Sequence, residues 1–121
     1  MTVKDIIDKV DELMPSQYSE DIKIAWLSQL DGKIYLEEIV THTDPLVNEM
    51  PEYTAETDEL MIDYPYGEDI YIYHLESMIC AQNAETSRYN MYVTLFNAAY
   101  ERWETFYNRT HAYAVTNRVR F

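Results

Sequence analysis

Val3, Ile6, Val10 and Leu13 recur at alternating three- and four-residue spacing, with Ile7 and Met14 beside them. Asp8, Lys9, Asp11 and Glu12 take the other positions. One apolar stripe against one charged face predicts an amphipathic helix. Thr2 is placed to cap it, and Asp5 three residues on completes a reciprocal pair of acceptors. Pro15 closes it. A second helix opens at Ser19, with Glu20 and Asp21 in its first turn, where the helix dipole favours negative charge. Ile22, Ala25, Trp26, Leu30, Ile34, Tyr35 and Ile39 keep helical spacing. The pattern predicts a helix through Gly32 to about residue 40, at about 1 kcal/mol for the glycine. A break at Asp31–Gly32 is the competing reading.

Residues 41–67 lose the period. They hold Pro45, Pro51 and Pro65 and many acids, and they read as a long loop with a short extended piece at 59–63. A loop of that length in a compact domain is usually functional or disordered. A third helix is expected from residue 67 or 68 to about 83. Ile70, Ile72, Tyr73, Leu75, Met78 and Ile79 cover most of its circumference, so it should be buried against several neighbours. After a short corner, Thr86 or Ser87 is placed to cap a fourth helix. Tyr89, Tyr92, Phe96, Ala99, Trp103 and Phe106 form a heptad-like seam along it, flanked by Leu95, Tyr100 and Tyr107. It should end near Arg109. Residues 111–121 are a basic, aromatic tail. The fold expected is an all-α, four-helix bundle-like single domain over 1–110, with the loop at 41–67 between helices 2 and 3.

Composition sharpens this picture in one respect. The chain has 121 residues and a formal charge of −13. Residues 1–87 hold four lysines against twenty acids, a balance of −16, whereas residues 88–121 hold five arginines against two glutamates, a balance of +3. No Lys or Arg stands between Lys33 and Arg88. Such a body repels nucleic acid and anionic membranes, and only the C-terminal end welcomes an acidic partner. The simplest alternative is a solvated acidic face that keeps the chain soluble. The longest uncharged run, 89–100, falls well short of the ~20 apolar residues a membrane span needs. The opening residues lack the apolar core of a secretion signal, so a cytosol-like compartment, or export by assembly rather than secretion, is expected.

Catalytic chemistry finds little support. His42, His74 and His111 have no metal-ligand spacing. Cys80, the one cysteine, lacks a basic neighbour in sequence and reads as a small core residue. The pairs Glu37–Glu38, Asp58–Glu59 and Glu68–Asp69 are adjacent and do not face each other. No calcium-loop pattern occurs, and two glycines cannot build a phosphate loop. No catalytic site, metal or cofactor is expected. Twelve tyrosines are present. Tyr53, Tyr64, Tyr66 and Tyr113 fall outside the expected helices, where such rings serve interfaces or fold back on the domain.

Three segments carry a family resemblance: SEDIKIAWLSQLDGKI (19–34), YPYGEDIYIYHL (64–75) and YNMYVTLFNAAY (89–100). With the helix order, they resemble the small helical head–tail connector (head-completion or adaptor) proteins of long-tailed phages. The resemblance covers most of 1–110 and departs at the acidic loop. It implies a non-enzymatic subunit of a ring, typically of twelve copies, docked beneath the portal protein and continuing the DNA channel. The implied partners are further copies of the chain, the portal and the next neck or tail-completion protein. DNA would pass without specific binding, and the location would be the virion neck, assembled in the host cytoplasm.

Physical considerations are compatible with that role. A head-to-tail ring contact needs two different sticky surfaces on each subunit. A conduit should not hold DNA, and acids such as Glu56, Asp58, Glu59 and Asp63 would let a duplex slide. Tyr113, Arg118, Arg120 and Phe121 would dock on a neighbour or the portal, unless the tail is simply a frayed end. The main alternative is an acidic DNA mimic or inhibitor that occupies a basic nucleic-acid-binding partner. The C-terminal arginines count against it.

Overall fold

A computed structural model describes residues 1–111. It is all-α: α1 is Val3–Leu13, α2 Glu20–Glu37, α3 Tyr66–Gln82 and α4 Thr86–Thr110, with a 3₁₀ turn at Ile39–Thr41 after α2. The α1 cap forms as expected. Thr2 Oγ1 accepts the Asp5 amide at 3.2 Å, and the Asp5 carboxylate accepts the Thr2 amide at 2.9 Å. Ser19 caps α2 by accepting the Ile22 amide at 3.3 Å. The helix runs unbroken through Gly32, which lies under the Met50 side chain, and so the competing break is not adopted.

α3 is the central element. Ile70, Tyr71, Leu75, Ile79 and Cys80 are essentially inaccessible on it. α1 packs Val3, Ile6 and Val10 into the same core, α2 packs Leu27 and Ile34, and α4 packs Ala99, Trp103 and Tyr107. α3 and α4 form an antiparallel hairpin. Its corner is a Schellman-type closure: the Ala84 amide donates to Ala81 O (3.2 Å) and the Glu85 amide to Cys80 O (2.9 Å). Ala84 takes φ 58°, a conformation in which glycine or asparagine is usual. Neither Thr86 nor Ser87 caps α4. Glu85 holds the cap position without a side-chain bond, because the same short corner ends α3 and starts α4.

The seam expected on α4 is only partly inside. Trp103 and Ala99 are buried, Tyr92, Phe96 and Phe106 half-buried, and Tyr89 exposed, while Tyr107, expected on the flank, is buried. A strict heptad drifts about 20° per seven residues against a straight helix, so a seam centred on Ala99 loses both ends. Phe106 instead stacks on Tyr66, with centroids 5.0 Å apart, and Tyr107 stacks on Trp103 at 5.0 Å.

The segment between α2 and α3 packs on the helices. Tyr53, Leu60 and Ile62 are buried in the core, with Met61 half-buried and Asp63 exposed between and beyond them. This two-residue alternation accompanies strand-like pairing with the N-terminus. Thr2 and Glu59 form an antiparallel bridge, and the Val3 and Lys4 amides donate to Asp58 O (2.9 Å) and Glu56 O (2.8 Å). Two helix-terminal donors that have no partner within α1 are thereby satisfied. Gly67, the second residue of α3, lies directly under this segment. A Cβ there would lie 2.0 Å from Ile62 O, so only glycine fits.

Candidate functional site

The most distinctive polar arrangement lies in the core, where Asp31 of α2 is fully buried. Its Oδ2 accepts the Tyr53 hydroxyl at 2.5 Å and the Tyr71 hydroxyl at 2.7 Å. The tyrosine oxygens in turn accept backbone amides: Met61 donates to Tyr53 at 2.9 Å and Ile62 to Tyr71 at 3.0 Å. One carboxylate thus orients two phenols, and the phenols hold the 61–62 backbone against α2 and α3. Desolvation pushes the Asp31 carboxyl up to about 6, against the two hydroxyls that hold it down. Burial and the adjacent carboxylate push both phenols well up, so they remain neutral donors. Asp31 was legible only as part of a possible helix break. Its signal was its place between Leu27 and Ile34 on the core stripe, where an acid demands partners.

The loop acids are not one free cluster. Asp58 accepts the Thr54 (2.8 Å) and Ala55 (3.0 Å) amides, which hold its carboxyl below its usual range. Asp63 accepts the Tyr64 amide at 2.8 Å and is lowered likewise. Glu59, on the surface, pairs with the Met1 amine at 2.9 Å. Glu56 of the α2–α3 segment meets Glu20 at the start of α2, and this contact raises the Glu20 carboxyl. A second acidic contact joins Glu38, after α2, to Glu104 of α4. Burial and Glu104 together push Glu38 up to about 7. Of the expected docking residues, Tyr113, Arg118, Arg120 and Phe121 lie outside the described residues.

The interface tyrosines divide. Tyr53 is buried, Tyr66 belongs to α3, and Tyr64 is 55% exposed. Tyr64 and Tyr66 line an open, mainly apolar depression of about 420 Å³ with Leu46, Phe106 and His111. His74 donates from Nε2 to Trp26 O at 3.2 Å, and burial lowers its imidazole to about 4, so it is a neutral core residue. His42 is buried, with Nε2 2.9 Å from Asn108 Oδ1. Cys80 is buried and its thiol is pushed up, which makes it a poor nucleophile. Among the described residues no group of His, Cys, Asp and Glu is arranged to hold a metal, and no helix is long and apolar enough to cross a membrane.

The basic side chains divide by whether they meet an acid. Arg102 and Arg109 of α4 are exposed and have no ion pair among the described residues, whereas Arg88 pairs with Glu85 at 2.6 Å. Lys4, Lys9 and Lys23 each meet an acid: Asp8, Glu68 and Asp11 respectively. Lys33 of α2 is likewise exposed without an ion pair among the described residues, and α4 also carries Glu101 and Glu104. The arrangement is suited to docking on complementary surfaces. Comparison with known proteins finds no matching family model, no matching curated protein and no matching solved structure.

Proposed function

We propose that this chain is a non-catalytic structural subunit, a head–tail connector that forms a ring beneath a phage portal and continues the DNA channel. The observation that carries the reading is the uneven charge along the chain: residues 1–87 balance at −16, while Arg102 and Arg109 of α4 are exposed without an ion pair among the described residues. A heterologous ring contact uses two unlike surfaces of this kind. The resemblance of segments 19–34, 64–75 and 89–100 to connector proteins supplies the class. Exposed acids, with Glu56 and Glu59 as candidates, suit a lumen through which DNA slides, because phosphate attachment is driven by Lys and Arg. The portal, the next neck protein and further copies of the chain are the partners this reading requires.

Cryo-electron microscopy of virions, or of the chain mixed with the portal encoded beside it, tests the proposal. A ring of this chain between portal and tail is the expected result. Particles whose neck lacks the chain would remove the connector reading. Salt-sensitive capture of a basic DNA-binding protein would then favour an acidic mimic, although Arg102 and Arg109 oppose that role.

A further inference from the structure

α4 carries a second stripe besides its buried one. Arg88, Met91, Leu95, Ala98, Arg102 and Arg109 share one helical face by spacing, and all six are exposed. From Arg88 to Arg109 the stripe runs about 32 Å. It contains no acid. Met91 is 49% exposed and Leu95 37%. The segment 89–100 that forms its middle has no charged residue at all. Interface cores are depleted in charge and enriched in Met and aromatic residues, with Arg favoured as the charged member.

A complementary face lies on α2 and the loop. Leu36, Val40 and Met50 are exposed at 62%, 44% and 53%. Met50 lies against Gly32 of α2, one helical turn before Leu36, and the Tyr35 hydroxyl donates to Asn48 O at 3.1 Å, so the loop runs alongside this stretch of the helix. Glu37, Glu49 and Glu52 on these segments are exposed without an ion pair among the described residues, as is Lys33, which lines the same hollow as Met50 and Glu52. One face is apolar with three arginines, and the other is apolar with three glutamates and one lysine.

We propose that the outer stripe of α4 docks on the α2–loop patch of a second copy of this chain. The occupant follows from charge: Arg102 and Arg109, without an ion pair within the described chain, meet on its second face three unpaired glutamates that outnumber Lys33. The contact is heterologous, so it leaves one free stripe and one free patch at the ends of any open chain and closes only as a ring. A helix face about 32 Å by 10 Å gives roughly 300 Å² per partner, below the ~800 Å² of a standard stable interface. Each pairwise contact is therefore weak and salt-sensitive, and ring closure strengthens it. The inference rests on the ring reading and names the surfaces that ring would use.

Sedimentation velocity on the full chain tests it, across protein concentration and at low and high salt. The wild type should self-associate with concentration, and high salt should weaken the association. The double variant Arg102→Glu/Arg109→Glu has a spoiled stripe, and Leu36→Asp/Met50→Asp has a spoiled patch. Each should remain monomeric with an unchanged far-ultraviolet circular dichroism spectrum. Mixed together, they should form a one-to-one pair and nothing larger, because one intact stripe meets one intact patch. A wild type that is monomeric throughout, variants that associate as the wild type does, or a mixture that stays monomeric would each overturn the assignment. A connector ring seen on virions alongside any of these failures would leave the ring reading standing and discard only these faces.

Discussion

Replacing Tyr71 with Phe isolates the buried Asp31 arrangement, because the ring stays and one oxygen goes. That oxygen makes two bonds: it donates to Asp31 Oδ2 at 2.7 Å and accepts the Ile62 amide at 3.0 Å. Losing a hydrogen bond to a charged partner costs about 1.5–3 kcal/mol, and leaving a buried amide unsatisfied costs about 1–3 kcal/mol. The expected destabilisation is about 3–5 kcal/mol at pH 7.5, a large part of the ~5–15 kcal/mol available to a domain. Urea unfolding read by Trp26 and Trp103 fluorescence measures it. With a slope near ~2 kcal/mol/M, the midpoint should fall by roughly 1.5–2.5 M. At pH 4 the carboxyl is largely protonated, a neutral bond is lost instead of a charge-assisted one, and the cost should shrink by about 1 kcal/mol or more. A loss under about 1 kcal/mol, or an equal loss at both pH values, would refute the claim that Asp31 is a buried carboxylate held by this phenol.

Asp31 also sets a pH dependence. Its carboxyl is raised from 3.8 to about 6 on folding, so its contribution to stability is fully present below about pH 4 and is lost as pH rises through about 6. The shift corresponds to about 3 kcal/mol, and Asp31→Asn should flatten that part of the stability–pH profile measured by chemical denaturation. Gly67→Ala forces a methyl against the Ile62 carbonyl and should cost at least about 2 kcal/mol in the same assay. Ala84→Gly relieves the left-handed backbone at the α3–α4 corner and should raise stability by about 1 kcal/mol, read as an upward shift in thermal midpoint.

Local patterns determined the four helices, because each carries its own period and, for α1 and α2, its own cap. Thr2 with Asp5 and Ser19 with Ile22 form bonds within three residues, so no distant contact could redirect them. The segregation of charge was equally plain in the order of residues. Tertiary structure alone decided the rest. The 42–65 segment has no helical period, yet Tyr53, Leu60 and Ile62 are in the core, because the N-terminus and two phenols supply the partners its backbone needs. Tyr107 replaces Phe106 on the inner face because packing follows the true helical pitch, not the idealised heptad. Asp31 became meaningful only when residues 22 and 40 positions away brought their hydroxyls to one oxygen. Burial then turned an ordinary acid into the polar centre of the core, since desolvation depends on what surrounds a group and not on its place in the chain.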